Sequence, residues 1–233
     1  MDTMTQRNRR NSTRRTEPKT LERTITAMRA AVAGGRPASV TEIAHREGDP
    51  FRILISTILS LRTRDEVTAA ASERLFALAS TPRDLAVLDT RKVERAIYPA
   101  GFYKTKARTV RETARRVDEE FGGRVPDTIE ALLTFKGVGR KTAALVVSLG
   151  YGRDAICVDT HVHRISNRLR WVSTRTPEET ERALMIVLPR RHWIGINDTM
   201  VSFGQRVCVP ISPRCSECPL SPDCPRHGVA RHR

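Results

Sequence analysis

Between Phe135 and Ala143 the chain reads Phe-Lys-Gly-Val-Gly-Arg-Lys-Thr-Ala. Two glycines separated by one apolar residue permit a tight reversal with φ > 0, and a helical run resumes at once from Arg140. Such a corner leaves unpaired N–H groups and the positive end of a helix dipole facing outward, with Val138 tucked in to pin the turn. That geometry holds a phosphate oxygen without reading a base. A bare G-x-G corner is also an ordinary bend between two helices, so its flanks decide its meaning.

The rest of the chain is punctuated for helices. Asp49-Pro50 caps and opens a buried run Phe51–Leu61, and Asp65 is placed to cap Glu66–Phe76. Thr81-Pro82 starts a short helix, Asp89 precedes Arg91–Ile97, and Thr105 can cap a long helix ending at Phe121 before Gly122-Gly123. Pro126-Asp127 leads into Thr128–Leu133, and Arg140–Leu149 follows the hairpin. Asp159 caps a helix through Arg170, and Thr176-Pro177 opens one to about Leu188. Strand signals are scarce, so the fold is predicted to be nearly all α with short connections.

Lys and Arg number 41 against 26 Asp and Glu, a formal net charge of +15. A chain this basic points to a polyanionic partner, first of all nucleic acid. The stretch Met1–Pro18 holds Arg7, Arg9, Arg10, Arg14 and Arg15 and almost nothing apolar, so residues 1–19 read as a disordered basic tail attracted to phosphates. No apolar run suits a membrane span and no secretory signal is visible, which implies a cytoplasmic, nucleoid-associated place.

Lys141 falls in the first turn after the hairpin, where the helix dipole and the neighbouring Arg140 both disfavour an ammonium ion. An amine that is part of the time neutral is a nucleophile; a lysine here could equally hold a phosphate. Val158-Asp159-Thr160-His161 comes eighteen residues later. Asp159 suits an N-cap, and a capping carboxylate that faces a cleft can also stabilise positive charge on a sugar or organise proton transfers.

Cys208, Cys215, Cys218 and Cys224 form a C-x6-C-x2-C-x5-C set in a Pro-rich segment without hydrophobic periodicity, and Cys157 stands apart. A segment of this kind needs a metal staple. Four thiolates select zinc or an iron–sulfur cluster, and a single C-x-x-C between wider loops favours the cluster. Arg206, Arg214 and Arg226 beside it could meet a DNA backbone.

Taken in order, the hairpin Gly137–Ala143, the run Val158–His161 and the cysteine set make the chain resemble the endonuclease III family of helix–hairpin–helix DNA glycosylases from about residue 24 to 225. The resemblance implies two lobes: a six-helix barrel, residues 45–152, and a [4Fe-4S] cluster lobe, residues 20–44 with 153–233, held by Cys208, Cys215, Cys218 and Cys224. It implies that Lys141 is the Schiff-base nucleophile and Asp159 the catalytic aspartate. Gly137, Val138, Gly139, Arg140 and Thr142 take the place of the phosphate-binding hairpin, with His161 also beside the DNA. The implied activity is excision of oxidised pyrimidines followed by strand cleavage at the abasic site, by a monomer acting on duplex DNA. Leu59–Asp65 matches a gap-filling motif that usually carries glutamine where Arg62 stands, and Gly101–Lys104 matches a wedge loop, with Phe102 the wedge or else a core aromatic. Lys136 replaces the proline usual before the first hairpin glycine. The alternatives are a monofunctional mismatch glycosylase, which generally lacks the lysine, and a non-catalytic DNA-binding module.

Overall fold

The computed structural model describes residues 18–34 and 39–233. In order the helices are α1 (Pro18–Val32), α2 (Ser39–Glu47), α3 (Pro50–Ser60), α4 (Asp65–Leu78), α5 (Pro82–Val87) and α6 (Thr90–Ile97). They continue with α7 (Tyr103–Phe121), α8 (Ile129–Leu132), α9 (Arg140–Leu145), α10 (Thr160–Arg168), α11 (Pro177–Val187) and α12 (Ile196–Arg206). The proposed tail lies outside the described residues up to position 17, and residues 18 and 19 already belong to α1.

The predicted caps at Asp49, Thr81, Asp89, Asp159 and Thr176 all accept backbone N–H bonds, each worth about 1 kcal/mol. Two assignments differ. Asp65 is the first residue of α4 and accepts instead from Ser39 Oγ at 3.3 Å. α7 starts at Tyr103 rather than after Thr105, because Phe102 turns into the left-handed region (φ 57°) and caps it without a side-chain bond. After Leu145 the helix widens to a π-turn over Val146–Gly150.

Two cores form. The first gathers α2 to α9 around α3, with Ile53, Leu54, Ile55 and Leu59 fully buried at its centre. The second joins α1 to α10, α11 and α12 through Ile25, Met28, Leu184, Met200 and Phe203. Val40 and Ala44 of α2 pack into the first core.

Between Gly152 and Asp159 the chain forms neither helix nor strand. Ala155 and Cys157 join the first core while Ile156 and Val158 join the second. Successive side chains thus alternate between the two cores, as they do along a strand, and this one segment stitches the lobes together. Among the described residues no helix is long and apolar enough to cross a membrane.

Candidate active site at the lobe junction

A cleft of about 870 Å³ opens where the lobes meet, and Lys141, Asp159 and His161 line it together with Asp65, Glu181 and Gln205. Each arrives there for a local reason. The hairpin turns at Gly137 (φ 79°), where a Cβ would also press on Thr109 Cγ2 at 3.3 Å. Gly139 does not need positive φ: at −94° it is the N-cap of α9. Val138 is buried as expected and its N–H donates to Phe135 O at 3.1 Å. Phe135 is buried under the Arg116 guanidinium, 4.5 Å from the ring centroid, which holds the base of the hairpin.

Lys141 is exposed at the second position of α9, while its backbone carbonyl accepts from Cys157 Sγ at 3.7 Å. Burial pushes the Cys157 thiol up, which makes it a packed structural thiol and no thiolate. Thr142 is 1 % exposed, so its side chain is a core residue and only its backbone can meet a phosphate. The Arg140 guanidinium is held by Glu181 through Nε–Oε2 at 2.5 Å and Nη2–Oε1 at 2.9 Å.

Asp159 caps α10: its Oδ1 accepts from His161 N at 2.8 Å and Val162 N at 2.9 Å. His161 is half-buried against Gly204, where a Cβ would lie 2.4 Å from Nδ1. Burial holds the His161 pKa below its ordinary value, and Asp159 pulls it part of the way back. The neutral ring accepts at Nδ1 from Arg164 Nη2 at 3.1 Å. That same guanidinium nitrogen donates to Gly204 O at 3.2 Å and Cys208 O at 2.9 Å. One turn on, the buried Arg168 donates to Cys208 Sγ at 3.3 Å, Val209 O at 2.8 Å and Pro210 O at 2.7 Å. α10 thus has the cleft at one end and the cysteine loop at the other.

All four clustered cysteines line one small cavity with Ile165, Phe203 and Leu220. Of the arginines near them, Arg206 donates to Val32 O at 3.2 Å and Arg226 to Ser221 Oγ at 2.6 Å, while Arg214 is exposed.

The pattern of the HhH-GPD superfamily of base excision DNA repair proteins matches residues 55–190. Over 180 residues the chain is 53 % identical to endonuclease III of Thermotoga maritima, covering 77 % of this chain and 84 % of that one. The chain belongs to the endonuclease III family. It is also 34 % identical over 200 residues to endonuclease III of Bacillus subtilis, covering 84 % of this chain and 89 % of that protein. Among solved structures, a trapped covalent endonuclease III–DNA intermediate superposes with a TM-score of 0.78 at 32 % identity, covering 89 % of this chain and 95 % of that one.

On this endonuclease III frame, Arg62 and Phe102 stand on two neighbouring turns at some remove from Lys141 in sequence. Phe102 is 63 % exposed, which makes it a surface aromatic and not a core one. The Arg62 guanidinium carbon lies 5.7 Å from the Phe102 ring centroid. Sequence reasoning missed Lys106, Glu181, Arg164 and Arg168. Lys106 had a visible signal: it shares the helical face of Ala107, Val110, Thr113, Ala114 and Val117, all buried, where a charge must find partners. Glu181 had none, since a carboxylate on an amphipathic helix reads as solvated.

Proposed function

We propose that Lys141 is the nucleophile of the base excision repair glycosylase and lyase that membership of this family makes the chain. The observation that carries the reading is that Lys141 and Asp159, from different lobes, line the same cleft beside the hairpin. The substrate is duplex DNA carrying an oxidised pyrimidine, extruded so that its sugar C1′ reaches Lys141 Nζ. Nζ bonds to C1′ as the N-glycosidic bond breaks and the base departs with the electron pair. Asp159, fixed through Oδ1, offers a carboxylate to the positive charge that develops on the sugar and to the proton the amine sheds. With a proton lost from Nζ, its electron pair expels O4′ from C1′; O4′ leaves as a hydroxyl, the sugar ring opens, and C1′ is held as an imine. The imine acidifies the C2′ proton, and its removal expels the 3′ phosphate by β-elimination.

Backbone N–H groups of Arg140, Lys141 and Thr142 open α9 with no carbonyl behind them. They suit a DNA phosphate next to the extruded nucleotide.

The four cysteines fit a [4Fe-4S] cluster: they line one cavity, and Arg168 donates to Cys208 Sγ, the kind of bond that orients a metal-binding sulfur. A bound cluster would give this segment a staple. What the chain itself contributes is Arg164 and Arg168, which tie the loop at Cys208 to the helix capped by Asp159.

The test is product analysis on a duplex with one oxidised pyrimidine. Native protein is expected to yield a strand broken 3′ to the lesion. Lys141→Ala should lose both base release and cleavage, and full incision by that variant would overturn the reading. Base release without cleavage by the native protein would favour a monofunctional glycosylase.

A further inference from the structure

No step above uses Lys106, yet it is 6 % exposed and fully bonded. Nζ donates to Leu59 O at 2.6 Å, Leu61 O at 2.6 Å and Thr63 Oγ1 at 2.7 Å. An ammonium carries three donors and no acceptor, so this group is matched donor for acceptor. The two carbonyls belong to the end of α3 and its C-cap, where a helix leaves oxygens without partners.

Thr63 Oγ1 carries the connection further, accepting from Gly101 N at 3.1 Å. One ammonium therefore couples the α3–α4 turn, which bears Arg62, to the α6–α7 turn, which bears Phe102. The turns also touch backbone to backbone, since a Cβ on Gly101 would lie 2.4 Å from Arg62 O.

Both turns are strained at the residue they present. Arg62 has φ 52° and Phe102 φ 57°, left-handed conformations that cost non-glycine residues about 1–3 kcal/mol each. Such strain persists only where the surroundings over-determine it. At both turns those surroundings include the Lys106–Thr63–Gly101 network, which alone of the side-chain hydrogen bonds among the described residues reaches from one turn to the other. Beside it stand each turn's own bonds, such as Thr63 N to Ser60 O and Lys106 N to Phe102 O.

We propose that Lys106 is a positioning residue for base extrusion, joining the Arg62 and Phe102 turns into one rigid unit that enters the duplex as a pair. The proposal rests on reading those two side chains as gap-filling. A rigid pair with the guanidinium beside the ring already occupies its working geometry before DNA arrives, so no ordering cost falls on the extrusion step. Loss of a lysine that only supported the core would lower stability and leave extrusion untouched.

The experiment uses a lesion duplex with 2-aminopurine beside the damaged base, whose fluorescence rises as stacking is lost. Lys106→Met keeps the stem and removes the donors. The fluorescence rise should fall sharply and KM for the duplex should climb about tenfold to a hundredfold. Borohydride trapping on single-stranded abasic DNA, which needs no extrusion, should stay within about twofold of native. Thr63→Val, which breaks the link to Gly101 and leaves two of the Lys106 bonds, should show a smaller version of the same split, and it carries the test if Lys106→Met does not fold. Normal extrusion by whichever of the two folds, set against defective extrusion by Phe102→Ala, would overturn the role of Lys106 alone. Normal extrusion by Phe102→Ala would remove the gap-filling reading and the proposal with it. Neither outcome bears on trapping at Lys141.

Discussion

Arg140 and Glu181 form a two-pronged ion pair between the hairpin helix α9 and α11 of the other lobe, at 2.5 and 2.9 Å. Glu181 is 4 % exposed in its side chain and Arg140 41 %, so the carboxylate is the partner that cannot fall back on water. Because Arg140 directly precedes Lys141, the pair fixes the start of α9 across the cleft. Glu181→Gln should cost about 1–3 kcal/mol in chemical unfolding, the exposed side of the pair softening the full penalty. Single-turnover base release should slow about tenfold, since a displaced nucleophile loses rate out of proportion to distance. Replacing both partners, Arg140→Met with Glu181→Leu, should restore stability and not the rate. Equal recovery of both would assign the pair to stability alone.

Gly204 governs His161 by absence. A Cβ there would sit 2.4 Å from His161 Nδ1 and 2.9 Å from Arg164 Nη2, so Gly204→Ala must move the imidazole and break its bond to Arg164. Since His161 follows Asp159 in the cap of α10, base release should drop at least tenfold while thermal unfolding shifts by only a few degrees. An unchanged rate would mean that the His161 ring position is immaterial to the cleft.

Lys106 makes stability depend on alkaline pH in a definite direction. Burial pushes its pKa down from 10.5 to about 8. Between those values the unfolded chain binds the proton that the folded chain has released, so this residue's contribution rises with pH across the window. Below pH 8 the native chain carries the whole cost of the buried charge, roughly 3 kcal/mol. Lys106→Met removes the titration. The Tm of native protein minus that of Lys106→Met should therefore grow by several degrees from pH 8 to 10. A difference constant across that range would show that the ammonium pays no burial cost.

The cysteine cavity predicts a chromophore. Purified protein should be brown, with broad visible absorption and bound iron, and Cys218→Ala should lose both. Unfolding should become less cooperative as the segment 208–224 loses its staple. Colourless native protein with stoichiometric zinc would reassign the site and leave the cleft chemistry standing.

What could be read from the chain divides by physical kind. The hairpin, the caps at Asp49, Asp89 and Asp159, and the cysteine set are local signals, each made by residues within a few positions, and the structure keeps their elements. The glycosylase reading came from three such signals in the expected order. The Glu181 partnership, the lodging of His161 on Gly204 and the three bonds of Lys106 join residues 41, 43 and 43–47 positions apart, and no local pattern encodes them. Local rules also misled where tertiary demand prevailed. Thr142 looked available beside two basic residues yet fills the core, and Thr105 looked like a cap but was overruled by the left-handed turn at Phe102.

The central claim is a bond from Lys141 Nζ to a deoxyribose carbon. Incubating native protein with abasic DNA and borohydride, digesting the adduct and sequencing the modified peptide by mass spectrometry tests it directly. The deoxyribose remnant should map to Lys141, and Lys141→Ala should give no adduct. An adduct on another amine, or undiminished trapping by Lys141→Ala, would contradict the mechanism.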